Sequence, residues 1–167
     1  MQGVLISLAR RFALAGGAVA SGLALMTVAS IAGRALWSQP IPGDVELMQM
    51  GIALCISLCL PWCQLHGSNI IVDFFTQSLP QRATRALDGI GTLLLALMCS
   101  LLSLRTAAGA IAVNAADEQT MIIGLPMWWA YAMLAPGLAL TAVIGVWQAG
   151  RLLRGLPPLP EAQEAAK

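Results

Sequence analysis

The sequence predicts an all-α integral membrane protein: four transmembrane helices, with a short interfacial helix after the second. Three observations predict it. Hydrophobic residues make up 58% of the 167 and charged residues 10%, against about 45–50% and about 25% in soluble domains. Mean hydropathy is +0.78. The charges are gathered into clusters, separated by charge-free windows over residues 12–33, 47–72, 89–104 and 119–150. This composition excludes a disordered chain and a water-soluble enzyme with a charged surface. A net charge of +1 offers no basic surface for a nucleic acid.

A hydrocarbon core of about 30 Å needs about 20 helical residues, so three of the windows hold one span each. The third window is short, but apolar character resumes past Arg105 through Ile111. The predicted spans are 12–33, 45–65, 87–110 and 126–153. Together they form one membrane domain over residues 1–155, followed by a flexible cytoplasmic tail over 156–167. Arg10-Arg11 ahead of the first span resembles the basic region of a signal peptide. The apolar stretch behind it exceeds the roughly 7–15 residues of a signal core, so a retained span is the better reading.

The connections carry local signals. Pro40-Ile41-Pro42-Gly43-Asp44 makes a tight turn. Asp44 can cap the second helix, and Glu46 suits the positive end of its first turn. In residues 69–79, Ile70/Phe74 and Ile71/Phe75/Leu79 recur at a spacing of four. That stretch is too short to span, ends at Pro80, and reads as a helix lying in the interface. Pro126 suits the first position of the fourth helix. Pro136-Gly137 lies inside that helix and should kink it.

Basic residues set the orientation. Arg10, Arg11, Arg82, Arg85, Arg151, Arg154 and Lys167 fall on the side of the termini, and only Arg34 and Arg105 on the other. Both termini are therefore expected in the cytoplasm. Trp37, Trp128, Trp129 and Tyr131 fall at outer ends and Trp62 and Trp147 near inner ends, where amphipathic rings are favoured.

Ionisable residues deep in a span mark function. Here Asp88, Arg105 and His66 fall near predicted ends, so no proton-relay or ion-coupling site built on carboxylates is visible; backbone carbonyls at a broken helix could still hold sodium, and Pro136-Gly137 is the only candidate break. One histidine cannot supply the paired axial ligands of a membrane b-type cytochrome. Cys55, Cys59 and Cys63 share a helix face, with His66 three residues on. Thiolate and imidazole suit zinc or copper. The row is continued by Gly51, however, and small side chains let membrane helices approach closely, so packing is the better reading. Similar rows run through Gly137, Thr141, Gly145 and Ala149, and through Ala20, Ala24, Val28 and Ala32. They serve contacts within the chain or with a partner. Arg34 and Glu46 flank the first outer turn as a candidate ion pair, or each simply sits at headgroup level. Asp73 interrupts an apolar run, on a solvated helix face or in contact with a neighbour.

In order and spacing these features resemble the small permease subunit of TRAP-type transporters, the DctQ family. Arg34 followed by Pro42-Gly43-Asp44-Val45-Glu46-Leu47 resembles that family's arginine, short turn and acidic helix start. Gly67-Ser68-Asn69-Ile70-Ile71-Val72-Asp73 resembles its stretch after the second span, with Gln64 and His66 where basic residues are usual. Gly124-Leu125-Pro126-Met127-Trp128-Trp129-Ala130-Tyr131, then Pro136-Gly137, resembles the start of its fourth span.

The resemblance implies a non-enzymatic scaffold in the bacterial inner membrane. Its partners would be a large multi-span permease subunit, a periplasmic substrate-binding protein and membrane lipid. The chain itself would carry no cofactor, with sodium coupling on the large subunit and an organic acid as substrate. Structural or partner-contact candidates are Arg34, Glu46, Gly67, Asp73, Pro126, Trp128, Tyr131, Pro136 and Gly137. The residues alone leave open a four-helix anchor for another complex, such as a redox enzyme, which predicts bound haem or quinone. A small multidrug exporter would need a membrane-embedded carboxylate.

Overall fold

The computed structural model describes residues 2–39, 41–66 and 81–154. The interfacial helix expected over 69–79, with Gly67 and Asp73, and the tail over 156–167 lie outside the described residues. Four helices make up the described chain: α1 (Gln2–Trp37), α2 (Asp44–Leu65), α3 (Gln81–Ala115) and α4 (Trp128–Leu153). Each is long and apolar enough to cross a membrane.

The helices do not stop where the charge-free windows stop. α1 runs without a break through Arg10 and Arg11, and α3 continues ten residues past Arg105 to Ala115. Charge marks where hydrocarbon gives way to headgroups, whereas a helix ends only where its backbone finds other partners. Arg105 is therefore well inside α3 and not at its end. α2 opens at Asp44, with Gly43 in the cap position at φ 70°. That left-handed conformation favours glycine, and it corrects the expectation that Asp44 itself caps. Pro61 lies inside α2 and Pro136 inside α4, and both helices continue through them. Pro136-Gly137 is thus not a break in α4.

Neighbour relations make a row, in the order α1, α2, α4, α3. α2 and α4 are central, and α1 and α3 each have one substantial neighbour. This is an open layer and not a closed bundle. The reason lies in the faces. α4 buries Gly137, Leu140, Thr141, Ile144, Gly145 and Ala149, enough to cover both of its flanks. α1 buries only a narrow seam: Ala9, Gly16 and Ser30, with half-buried Leu23 between them. These positions are seven apart, the repeat of a single coiled-coil seam.

Small residues set the spacing at each interface, as membrane helix packing requires. A Cβ on Gly16 would come 2.7 Å from Cys59 Sγ, and one on Gly145 would come 2.9 Å from the Ala96 Cβ. Of the three rows read from the sequence, those of α2 and α4 are used inside the chain, although Cys63 at the end of the α2 row is exposed. Ala20, Ala24, Val28 and Ala32 of α1 are all exposed. α3 supplies a row that the sequence reading passed over: Gly89, Thr92, Ala96, Cys99, Ser103, Thr106, Ala110 and Val113, alternately three and four apart and all buried or half-buried. Ala9, Leu65, Leu140 and Ile144 form the buried cluster, with Phe12, Trp62 and Trp147 against it.

Candidate functional site

Among the described residues, polar contacts between helices gather at three depths. The first is the end of the molecule that carries both short connections. Ser30, in the penultimate turn of α1, donates its hydroxyl to Asp44 Oδ2 at 2.6 Å and accepts the Ile41 N–H at 3.3 Å. Asp44 also accepts the Val45 N–H at 2.8 Å. Arg34 Nη2 lies 3.9 Å from Asp44 Oδ2, and the Arg34 side chain is 67% exposed. The partner of Arg34 in the structure is thus Asp44 and not Glu46. An exposed pair at that distance is worth little.

Glu46 reaches the other connection. Its two carboxylate oxygens accept the N–H groups of Ile122 and Ile123, at 2.9 Å and 3.2 Å. Those residues form the tip of a hairpin over 118–127. Its arms are joined by Thr120 N–H to the Leu125 carbonyl at 2.9 Å and by Met127 N–H to the Glu118 carbonyl at 3.0 Å. Gln119 and Pro126 pair between these bonds, at the one kind of ladder position where a missing N–H costs nothing. This corrects the expectation for Pro126. It belongs to the hairpin, and α4 begins two residues later at Trp128. The Ile123 side chain also sits against Gly43. The hairpin therefore straps the α3–α4 pair to the α1–α2 pair.

The second depth is the Pro136 turn. Ser57 of α2 donates to the Leu134 carbonyl at 2.7 Å, and Ser103 of α3 donates to the Ala135 carbonyl at 3.0 Å. Two neighbouring helices thus bind successive carbonyls just before the proline. Gly137 follows, and a Cβ there would overlap the Ser57 carbonyl. Carbonyls near a helix break can hold sodium. Here both accept serine hydroxyls and tie α2, α4 and α3 together.

The third depth is the far end. Gln64, buried in α2, donates Nε2 to Gln148 Oε1 of α4 at 2.9 Å. Gln148 Nε2 in turn donates to the Gln64 carbonyl at 3.0 Å. Trp62 and His66, also near this end, meet with their rings tilted at 43° and the centroids 4.2 Å apart. The Arg151 guanidinium lies 5.1 Å from the centre of the Trp147 ring.

Of the aromatic candidates, Trp128 and Trp129 meet edge to face at 5.9 Å. Tyr131 lies over Gly109, where a Cβ would come 3.3 Å from its ring. Cys55 and Cys59 pack on α1, and Cys55 Sγ donates to the Gly16 carbonyl at 3.3 Å. Among the described residues no three His, Cys, Asp or Glu side chains converge as metal ligands.

The arrangement is a set of ties between helices. The chain from residue 23 to 155 matches the family model for tripartite ATP-independent periplasmic transporters, DctQ component. The chain belongs to the DctQ family. It is the small permease subunit of a TRAP-type transporter, and that family is a transporter component and not a class of enzyme. Comparison with curated proteins and with solved structures returns no match.

In this DctQ chain the ties involve Arg34, Glu46 and the Pro136-Gly137 turn, which the sequence singles out, and Ser30, Ser57, Ser103, Gln64 and Gln148, which it does not. A signal was present. Uncharged polar side chains inside a span must find partners just as charged ones do.

Proposed function

We propose that this DctQ subunit is the stationary scaffold of its transporter. It packs against the large multi-span permease subunit and fixes that subunit's depth and tilt in the bacterial inner membrane. The large subunit carries the sodium and substrate sites, and an organic acid reaches it from a periplasmic binding protein. The observation that carries this reading is the cross-tied layer α1–α2–α4–α3. Its central helices are held at three depths by uncharged hydrogen bonds and one carboxylate strap. A layer so tied keeps its shape while leaving long apolar faces for a neighbour, which suits a fixed reference beside a moving domain. Arg34, Glu46, Pro126, Trp128, Tyr131, Pro136 and Gly137 serve that shape, and Gly67 and Asp73 are contact candidates.

The test is reconstitution. The large subunit with this chain, in proteoliposomes under a sodium gradient and with the loaded binding protein outside, is expected to accumulate the organic acid. Either membrane subunit alone is expected to accumulate none. Uptake by this chain alone, or full uptake by the large subunit alone, would remove the reading.

A further inference from the structure

Arg105 is a cation placed at hydrocarbon depth on the outer face of an edge helix. The packing of α3 on α4 sets its level. Ser103 binds the Ala135 carbonyl, and Gly109 lies against Tyr131. Counting 1.5 Å per residue from these two contacts puts Arg105 about 7–10 Å below the Trp128 level. Trp128 and Trp147 themselves lie about 28 Å apart along α4 by the same rise, close to the thickness of a hydrocarbon core. Arg105 is therefore inside that core, and it is exposed. Among the described residues it has no hydrogen bond or ion pair.

A guanidinium in that position needs acceptor oxygens. One source is lipid phosphate, reached by extending the side chain along the helix. Helix geometry opposes this. Each Cα–Cβ bond tilts toward the N-terminus of its own helix. In α3 that direction leads away from the nearer tryptophan belt and toward the membrane centre. Around Arg105 the same face carries exposed Leu101 and Leu102 one turn before and exposed Ala108 and Ala112 in the turns after. The two alanines leave room for another helix to approach closely.

We propose that Arg105 marks a protein interface: the outward face of α3 docks a helix of the large permease subunit, which presents a carboxylate or helix-end carbonyls to the guanidinium. This rests on the scaffold reading and adds to it which helix of this chain is the contact and which residue sets its depth.

The test uses the chain coexpressed with its large subunit and purified in mild detergent. Arg105→Leu suits a lipid-facing position, so the variant chain is expected to insert and melt like wild type. It should nevertheless retain at least about tenfold less large subunit, the usual consequence of removing one side of a desolvated charged contact. Arg105→Lys should retain most of it. A photo-crosslinking amino acid at position 105 should label the large subunit. Unimpaired retention by Arg105→Leu, or labelling of phospholipid alone, overturns the assignment of α3 and leaves the scaffold reading standing. A wild-type chain that holds no large subunit overturns both.

Discussion

Single side chains in this protein matter chiefly for what they let the backbone do. Glu46 is the clearest case, because its carboxylate replaces the missing partners of two hairpin-tip N–H groups. Glu46→Ala should speed hydrogen exchange at the Ile122 and Ile123 amides while leaving the α2 interior protected. Glu46→Gln, which keeps one acceptor oxygen, should fall between the two. Equal exchange in all three proteins would mean that the strap is not held by Glu46. Gly137 illustrates the other kind of constraint. Its missing side chain admits the Ser57 backbone of α2, which cannot step aside. Gly137→Ala should destabilise the protein by about 1–3 kcal/mol, as overpacking does. Gly17, next in the chain to the α1 seam's Gly16 but facing open space, offers the contrast. Gly17→Ala should be neutral or stabilising by up to ~1 kcal/mol. Thermal unfolding in one detergent compares the two directly.

At the scale of elements, the four helices differ in how many sides they must cover. α4 is central and has buried residues all round except for a stripe through Pro136, Ala139, Val143 and Val146. α1 and α3 bury one seam each. Since lipid tails are as apolar as leucine, burial of apolar area does not hold such helices together; close packing and hydrogen bonds do. The Gln64–Gln148 pair should therefore behave as a unit. Either glutamine changed to leucine alone should destabilise the protein, because the Gln64 Nε2 to Gln148 Oε1 bond is lost while half of it stays buried. The double variant should recover part of the loss, with a coupling of about 0.6–1.7 kcal/mol. Additive losses in a double-mutant cycle would show that the two amides act separately.

For the whole molecule, the open layer has a consequence that a closed bundle lacks. The edge helices keep most of their surface for lipid or for other subunits, as the large exposed side chains of α1 and α3 attest. The strap at one end and the amide pair at the other resist sliding of one helix pair past the other. Orientation belongs to this scale too. Seven basic residues on the side of the termini against Arg34 alone at the other end, Arg105 lying within its span, predict that a reporter fused after Ala116 reads periplasmic and one fused after Arg154 reads cytoplasmic. The opposite pattern would invert the layer and put the strap on the cytoplasmic side.

The amino-acid sequence by itself determined that the chain is helical and membrane-spanning, because unbroken apolar windows between clustered charges satisfy their backbone in lipid as helices and lack the alternation of barrel strands. It also carried the resemblance that the family match bears out over residues 23–155. Only the tertiary structure decided which faces meet. Small-residue rows occur on every helix, and nothing local distinguishes the row of α4, which packs, from Ala20–Ala32 of α1, which does not. The partner of Glu46 is some 76 residues away in the chain, and the depth of Arg105 is set by where α3 registers against α4. Such choices depend on the complementarity of two surfaces at once, a property that no single segment contains.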